Sequence, residues 1–246
     1  MKQILSVILT AILASVSRPV MVAAQNPCGH FSAKPMAGVN ISTYGRATYD
    51  DSYHNRVRFT AGFEVEYGLT DRIGLSLGMA YSQQGADIDA TIDNVVDYGE
   101  GPIFVRTKVD GKLTADYLNI PLLANIYIPA LKGLCLKTGV QMGVLVNDRM
   151  SATTQVLTMP YYVVNEDGSV TTGANIRPQH YVVESTTSDV CHSVDFGIPI
   201  GVSYEYRNVC LDARYYFGLT RPDKTETPDN ARNRYLSITL GYRFGL

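Results

Sequence analysis

Residues 63–78 read FEVEYGLTDRIGLSLG, and the parity of this stretch decides the fold. Phe63, Val65, Tyr67 and Leu69 fall on one beat, with Glu64, Glu66 and Gly68 between them. After Thr70-Asp71-Arg72 the beat resumes with Ile73, Leu75 and Leu77 against Gly74, Ser76 and Gly78. Side chains of a strand alternate faces, so the stretch encodes two antiparallel strands joined by a tight turn. One face is apolar; the other carries carboxylates and glycines.

The same two-residue period recurs outward in both directions. It predicts strands over Ala33–Gly45, Arg56–Leu69, Ile73–Gly85, Thr114–Ile128, Leu134–Asn147, Cys191–Tyr206, Val209–Thr220 and Arg234–Phe244. Connections after the second, fourth and sixth strands are short (TDR, PALKG and RN). Those after the other strands are longer, notably Ala86–Leu113 and Asp148–Val190. Short turns at one end and long loops at the other are the signature of a membrane-spanning barrel. Hydrocarbon tolerates only helices and closed barrels, because an open sheet edge would strand its backbone donors. Each strand is long enough for the roughly 9–11 residues a tilted crossing requires. The expected fold is all-β: an eight-stranded antiparallel up-and-down transmembrane β-barrel with short periplasmic turns and long extracellular loops.

Composition agrees. The chain has 246 residues, 46% hydrophobic and only 18% charged, below the roughly 25% of soluble proteins. A net charge of −2 carries no nucleic-acid footprint. At the N-terminus, Lys2 precedes an apolar run from Ile4 to Val16, too short for the roughly 20 residues of a spanning helix. Val22-Ala23-Ala24 then offers small residues before a signal cleavage site between Ala24 and Gln25, so residues 1–24 read as a cleaved signal peptide. Residues 25–32 read as a periplasmic segment, and 33–246 as the barrel domain.

Alternation alone does not say which face is inside, and a lipocalin-like carrier would turn the apolar set inward. The polar parity is rich in Gly and Ser, with a few charges of both signs, which suits a narrow bore where small residues make room for long ones. Reversing the faces would set Lys137 and Arg214 against lipid, at about 2–4 kcal/mol per basic residue near the midplane. The apolar parity includes Tyr67, Tyr81, Tyr204, Tyr206, Tyr242 and Phe244, expected as interfacial aromatic girdles. The apolar face is therefore assigned to lipid.

The segments GVNISTYG, GFEVEYGLTDRIGLSLGMAYSQQG, YLNIPLLANIYI, GVQMGVLVN, DFGIPIGVSYEY and RYLSITLGYRF resemble the porin-like, PorT-type outer-membrane β-barrel domain. YLNIPLLA and LSITLGYRF are the most specific of them. The resemblance runs from about Lys34 to Phe244 and implies an eight-stranded barrel of the Gram-negative cell outer membrane, inserted by the outer-membrane assembly machinery. It implies little about activity. Gly245-Leu246 after Phe244 departs from the family's terminal aromatic residue.

Glu64, Glu66 and Glu205 share the inner parity with Lys137, Arg214 and Arg243, and buried charges must be paired. These six are expected to form an ionic network filling the bore rather than a conduit. No catalytic residue is expected: His192 and Ser193 are adjacent on a strand and point to opposite faces. No cofactor or metal motif is present, and Asp87, Asp89, Asp93, Asp97 and Glu100 read as a solvated face rather than a Ca²⁺ loop. Cys28, Cys135, Cys191 and Cys210 permit disulfides whose connectivity the sequence leaves open; Cys135 to Cys210 is disfavoured by an intervening strand. PIFVRTKV, QVLTMPYYVV and the turn NEDGS (165–169) predict hairpins above the membrane. The expected protein is a monomer in contact with outer-membrane lipid, binding a surface ligand or strengthening the envelope through its loops. A narrow small-solute channel and a membrane-embedded lipid-modifying enzyme are the alternatives.

Overall fold

A computed structural model describes residues 28–45, 53–97, 101–164, 166–172, 177–221, 224 and 232–246. The expected signal peptide lies outside the described residues, as do both residues of its cleavage site, Ala24 and Gln25, and also Glu100. Among the described residues thirteen strands appear in chain order: β1 Phe31–Gly45, β2 Tyr53–His54, β3 Arg56–Gly68, β4 Ile73–Asp97, β5 Pro102–Tyr127, β6 Leu134–Pro160, β7 Tyr162–Val164, β8 Val170–Thr172, β9 Gln179–Thr187, β10 Val194–Tyr206, β11 Val209–Gly218, β12 Arg232–Tyr242 and β13 Phe244–Gly245. Eight of them close a ring in the order β1, β3, β4, β5, β6, β10, β11, β12, with β12 pairing back onto β1. Every pairing in the ring is antiparallel, with Met36 against Gly241 and Gly38 against Thr239 at the seam. The fold is an eight-stranded up-and-down barrel.

Local chemistry shapes the short turns. Between β3 and β4, the Thr70 hydroxyl accepts hydrogen bonds from the amides of Arg72 (3.2 Å) and Ile73 (3.0 Å). Between β10 and β11, Arg207 and Asn208 both have positive φ, 47° and 69°, as a two-residue type I′ hairpin requires. Parity then sorts the wall. Leu77 and Val140 are 55% and 59% exposed to the surroundings of the barrel, whereas Glu64 and Lys137 are 3% and 2% exposed.

Several strand limits differ from expectation. β1 begins at Phe31, inside the segment expected to be periplasmic, and β10 begins at Val194 rather than Cys191. β4, β5 and β6 do not stop at Gly85, Thr114 and Asn147; they run on through most of the expected loops. Pairing of β4 with β5 continues unbroken from Gln84↔Ala115 to Asp97↔Pro102. β9 adds to β6 above the barrel, from Met150↔Thr187 to Thr158↔Gln179. The outer hairpins are thus extensions of the barrel wall. β7 and β8 form a separate small hairpin, Val164↔Val170, across the turn predicted at NEDGS, of which Glu166–Ser169 are described.

Two irregularities aim this extension. At Gly85 φ is +148°, and a Cβ there would collide with the Leu113 carbonyl oxygen, so only glycine fits. The Ser42 hydroxyl accepts from the Gly85 amide (3.0 Å) and donates to its carbonyl (2.8 Å), tying β1 to the bend. On β6 the register slips so that Val146 is skipped, with Tyr117↔Leu145 followed by Asp116↔Asn147. The bulge exchanges faces on β6, turning Asp148 inward instead of Asn147.

Candidate functional site: a filled bore beneath a projecting sheet

The lower bore holds two tiers of charge. Nearest the short turns, the Arg243 guanidinium meets Glu66 Oε2 at 3.1 Å and Glu205 Oε2 at 2.8 Å. It also donates to Ser32 Oγ (3.0 Å) and to the Tyr127 hydroxyl (2.9 Å), which itself donates to Glu66 Oε1 (2.5 Å). One tier up, Glu64 Oε2 accepts from Lys34 Nζ (2.9 Å) and Lys137 Nζ (3.1 Å), and its other oxygen pairs with Arg214. Asp212 binds the same three cations: Lys34 at 3.4 Å, Lys137 at 2.9 Å and Arg214 Nε at 2.5 Å. Four cations therefore face four carboxylates, all nearly sealed from solvent.

Neighbouring glycines give these side chains their space. A Cβ on Gly74 would collide with Glu66 Oε1, and one on Gly201 would come within 2.6 Å of Arg214 Cγ. Above the ions sits a cavity of about 40 Å³ edged by Asn40, Asn119, Gln141, Arg214, Tyr216 and Tyr235. Asn119 and Gln141 donate to the Tyr235 hydroxyl at 2.9 and 2.7 Å. Asp195 closes the next layer, accepting from Tyr216 (3.0 Å), Asn233 (3.2 Å) and Thr220 (2.5 Å). Ala86, Leu113, Ala115, Tyr117 and Cys191 then form an apolar lid, backed by Leu145 and Met150. Charges, amides and hydrocarbon together fill the bore from end to end, leaving little room for a solute.

Beyond the lid, β4, β5, β6 and β9 continue as a four-stranded sheet. From Ala86 to Asp97 it projects for about 40 Å of strand at 3.4 Å per residue. Its inner face continues the bore parity and is mainly apolar in its middle rows. In register across the sheet run Ala90, Val109, Thr154 and Val183, then Ile92, Thr107, Val156 and Tyr181. Its outer face is mostly polar, with Asp87, Lys112, Ser151 and Thr186 in one row and Asp89, Asp110, Thr153 and Glu184 in the next, while Val182 and Leu157 stand in the rows beyond. Near the tip, Arg106 binds Asp93 through two nitrogens at 2.8 and 2.7 Å, and these bonds hold the Asp93 carboxyl below its usual range. At the base, Asp148 accepts from the amides of Asp189 (2.9 Å), Val190 (2.6 Å) and Cys191 (2.6 Å), fixing the exit of β9. Burial pushes the Asp148 carboxyl up, and these amides more than offset it, so it titrates below an ordinary aspartate.

Residues 23–222 match the model of the family described as outer membrane protein beta-barrel domain. The chain belongs to that family. Its barrel accordingly resides in the cell outer membrane, with the short turns periplasmic and the projecting sheet outside. No curated protein matches the chain. Among solved structures, Ail, the attachment invasion locus protein of Yersinia pestis, is 10% identical at a TM-score of 0.40, covering 88% of this chain and 99% of that one. The N-terminal β-barrel domain of Pseudomonas aeruginosa OprF is 14% identical at 0.32, covering 88% and 98%. Neisserial surface protein A is 13% identical at 0.34, covering 87% and 97%.

Within this outer membrane barrel, all six charges singled out in the sequence lie in the two ionic tiers: Glu66, Glu205 and Arg243 below, Glu64, Lys137 and Arg214 above. Lys34 and Asp212 complete the upper tier; the sequence pattern sets Asp212 on the inner parity of its strand, but neither residue was counted in the expected network. Both sit on the Gly/Ser-rich parity, which is the signal that could have found them. Of the aromatic set, Tyr67, Tyr204, Tyr206, Tyr242 and Phe244 lie near the short-turn end, and Tyr81 lies eight residues up β4 from its start. Tyr67 packs on Phe31 and Tyr242 on Phe244, both at 4.8 Å between ring centroids. Phe59, Phe196 and Phe217, also exposed and nearer the long-loop end, join Tyr81 there and were likewise missed. The four cysteines form no disulfide. Among the described residues no His, Cys, Asp and Glu group has the makings of a metal site.

Proposed function

We propose that this protein is a non-enzymatic surface-binding or envelope-strengthening barrel that acts through its projecting sheet, with the ionic bore serving as its structural core. The observation carrying this reading is the sheet itself: barrel strands continue far past the apolar lid and hold an amphipathic surface outside the membrane. Loops and extensions on a rigid scaffold are where recognition usually resides. In this reading the protein works as a monomer among outer-membrane lipids after insertion by the assembly machinery. YLNIPLLA and LSITLGYRF favour the porin-like, PorT-type subgroup, although the filled bore speaks against passage of solutes.

The test is a trimmed barrel in which residues 88–111 and 150–187 are each replaced by a short turn. Gel mobility before and after heating reports whether the barrel still folds. A strain carrying the trimmed form should share the envelope-integrity and surface-binding defects of a deletion strain. Full rescue by the trimmed form would overturn the proposal. Steady single-channel conductance of the intact protein in planar bilayers would favour the channel alternative. Turnover of labelled lipid A or phospholipid would favour the enzyme.

A further inference from the structure

The projecting sheet ends in two edges, and they differ. The upper part of β4 is blunted: β2 covers Asp87 and Ile88, and Asp89, Asp93 and Asp97 spread charge along the rest. Charged side chains and short covering strands are the usual defences of an edge. β9 has almost none. Its nine residues, QHYVVESTT, contain no Pro, Gly or Lys, are rich in β-formers, and are exposed throughout. Among the described residues β9 pairs only with β6, and no other described strand takes up its outer row of amides and carbonyls.

Both side-chain faces also stop short at this edge. The apolar rows run through Val109 and Val156, which are half-buried, and end at Val183 and Tyr181, which are 49% and 50% exposed. One more strand would cover them. On the opposite face the row of Asp89, Asp110 and Thr153 ends at Glu184, which has no ion-pair partner among the described residues. The edge is held ready: Asp148 fixes the backbone leaving β9, and Lys224 pairs with Asp189 beside it. An edge already ordered before binding loses less freedom when a partner arrives.

Resting on the surface-binding reading above, we propose that β9 captures an extended segment of another polypeptide, which adds as a fifth strand to the projecting sheet. Main-chain bonds along Gln179–Thr187 supply affinity, and alternate side chains supply selectivity. The chemistry of the occupant follows from the rows. It carries apolar residues beside Tyr181 and Val183, hydroxyl residues on the other face, and a lysine or arginine opposite Glu184. A second copy of this chain fits less well. Two copies upright in one membrane present β9 running the same way, which is the less stable pairing and cannot set two identical edges in good register.

The probe is a nine-residue peptide of alternating valine and threonine with a lysine replacing the central threonine, attached to a soluble carrier. It is tested against the full chain in lipid nanodiscs by a surface-binding assay. Saturable binding is expected. N-methylation of one alternate set of peptide amides should abolish it, and methylation of the other set should leave it. Glu184→Lys should weaken binding about two- to fivefold, recovered by a peptide bearing glutamate at its centre. No saturable binding, indifference to N-methylation in both sets, or dimerisation through β9 that excludes the peptide would each overturn the inference. The trimmed barrel separates the two failures: if it behaves as a null while the peptide does not bind, surface recognition stands and strand capture falls.

Discussion

Glu64→Gln and Lys137→Met both break contacts in the upper ionic tier, yet they should differ sharply in cost. Glu64 neutralises three cations: Lys34 at 2.9 Å, Lys137 at 3.1 Å and Arg214. Its amide replacement leaves those three buried beside one carboxylate, Asp212. An uncompensated buried charge costs about 3–5 kcal/mol. That corresponds to roughly two to three and a half decades in the folded-to-unfolded ratio. Lys137→Met instead leaves Lys34 and Arg214 facing Glu64 and Asp212, two against two. What is lost is hydrogen bonding to charged partners, about 1.5–3 kcal/mol. The assay is reversible urea unfolding in lipid vesicles, followed by far-UV circular dichroism and tyrosine emission, since the chain has 17 Tyr and no Trp. Equal losses for the two variants, or a larger loss for Lys137→Met, would refute the charge-counting argument.

Other consequences of the structure are open to direct measurement. Gly74→Val forces its side chain into Glu66 and should cost about 1–3 kcal/mol in the same unfolding assay. A Leu77→Arg substitution, on the exposed apolar wall, should cost about 2–4 kcal/mol when refolded into vesicles, and wild-type stability there would place that wall away from hydrocarbon. Because the folded-state titration of Asp148 is depressed, its hold on residues 189–191 is complete above the ordinary aspartate value near 4 and fades as pH falls through its lower folded value. Protection of those three amides against hydrogen exchange, taken relative to the intrinsic rate at each pH, should be high at pH 5–7, fall away in strong acid, and be lost at every pH in Asp148→Ala.

The barrel was legible because each of its strands obeys one rule for a dozen residues. Alternation put Glu64, Lys137 and Arg214 on one parity, and the cost of setting basic residues against hydrocarbon turned that parity inward. Lys34 was harder to find: it stands near the start of β1, where Pro35 and Ala37 weaken the apolar beat. The projecting sheet reads in sequence as hairpin-bearing loops because Asp87, Asp89 and Asp93 suggest solvent and have low strand propensity. Yet Ile88, Ala90 and Ile92 keep the beat between them, and Asp-Ile-Asp-Ala-Thr-Ile-Asp is a strand with one wet face. The bulge at Val146 left no such trace. A single skipped residue changes which of Asn147 and Asp148 turns inward, and only the pairing of β5 with β6 reveals it.

The seam between β1 and β12 joins the earliest and latest staves of the ring. Until Arg232–Tyr242 has been delivered, Phe31–Gly45 has an open flank, and hydrocarbon penalises each orphaned amide by roughly several kcal/mol. A ring lacking its last stave therefore has no stable place of its own in bare hydrocarbon. A chain broken off before its last stave keeps that flank of β1 unpaired. The topology thereby proofreads its own length.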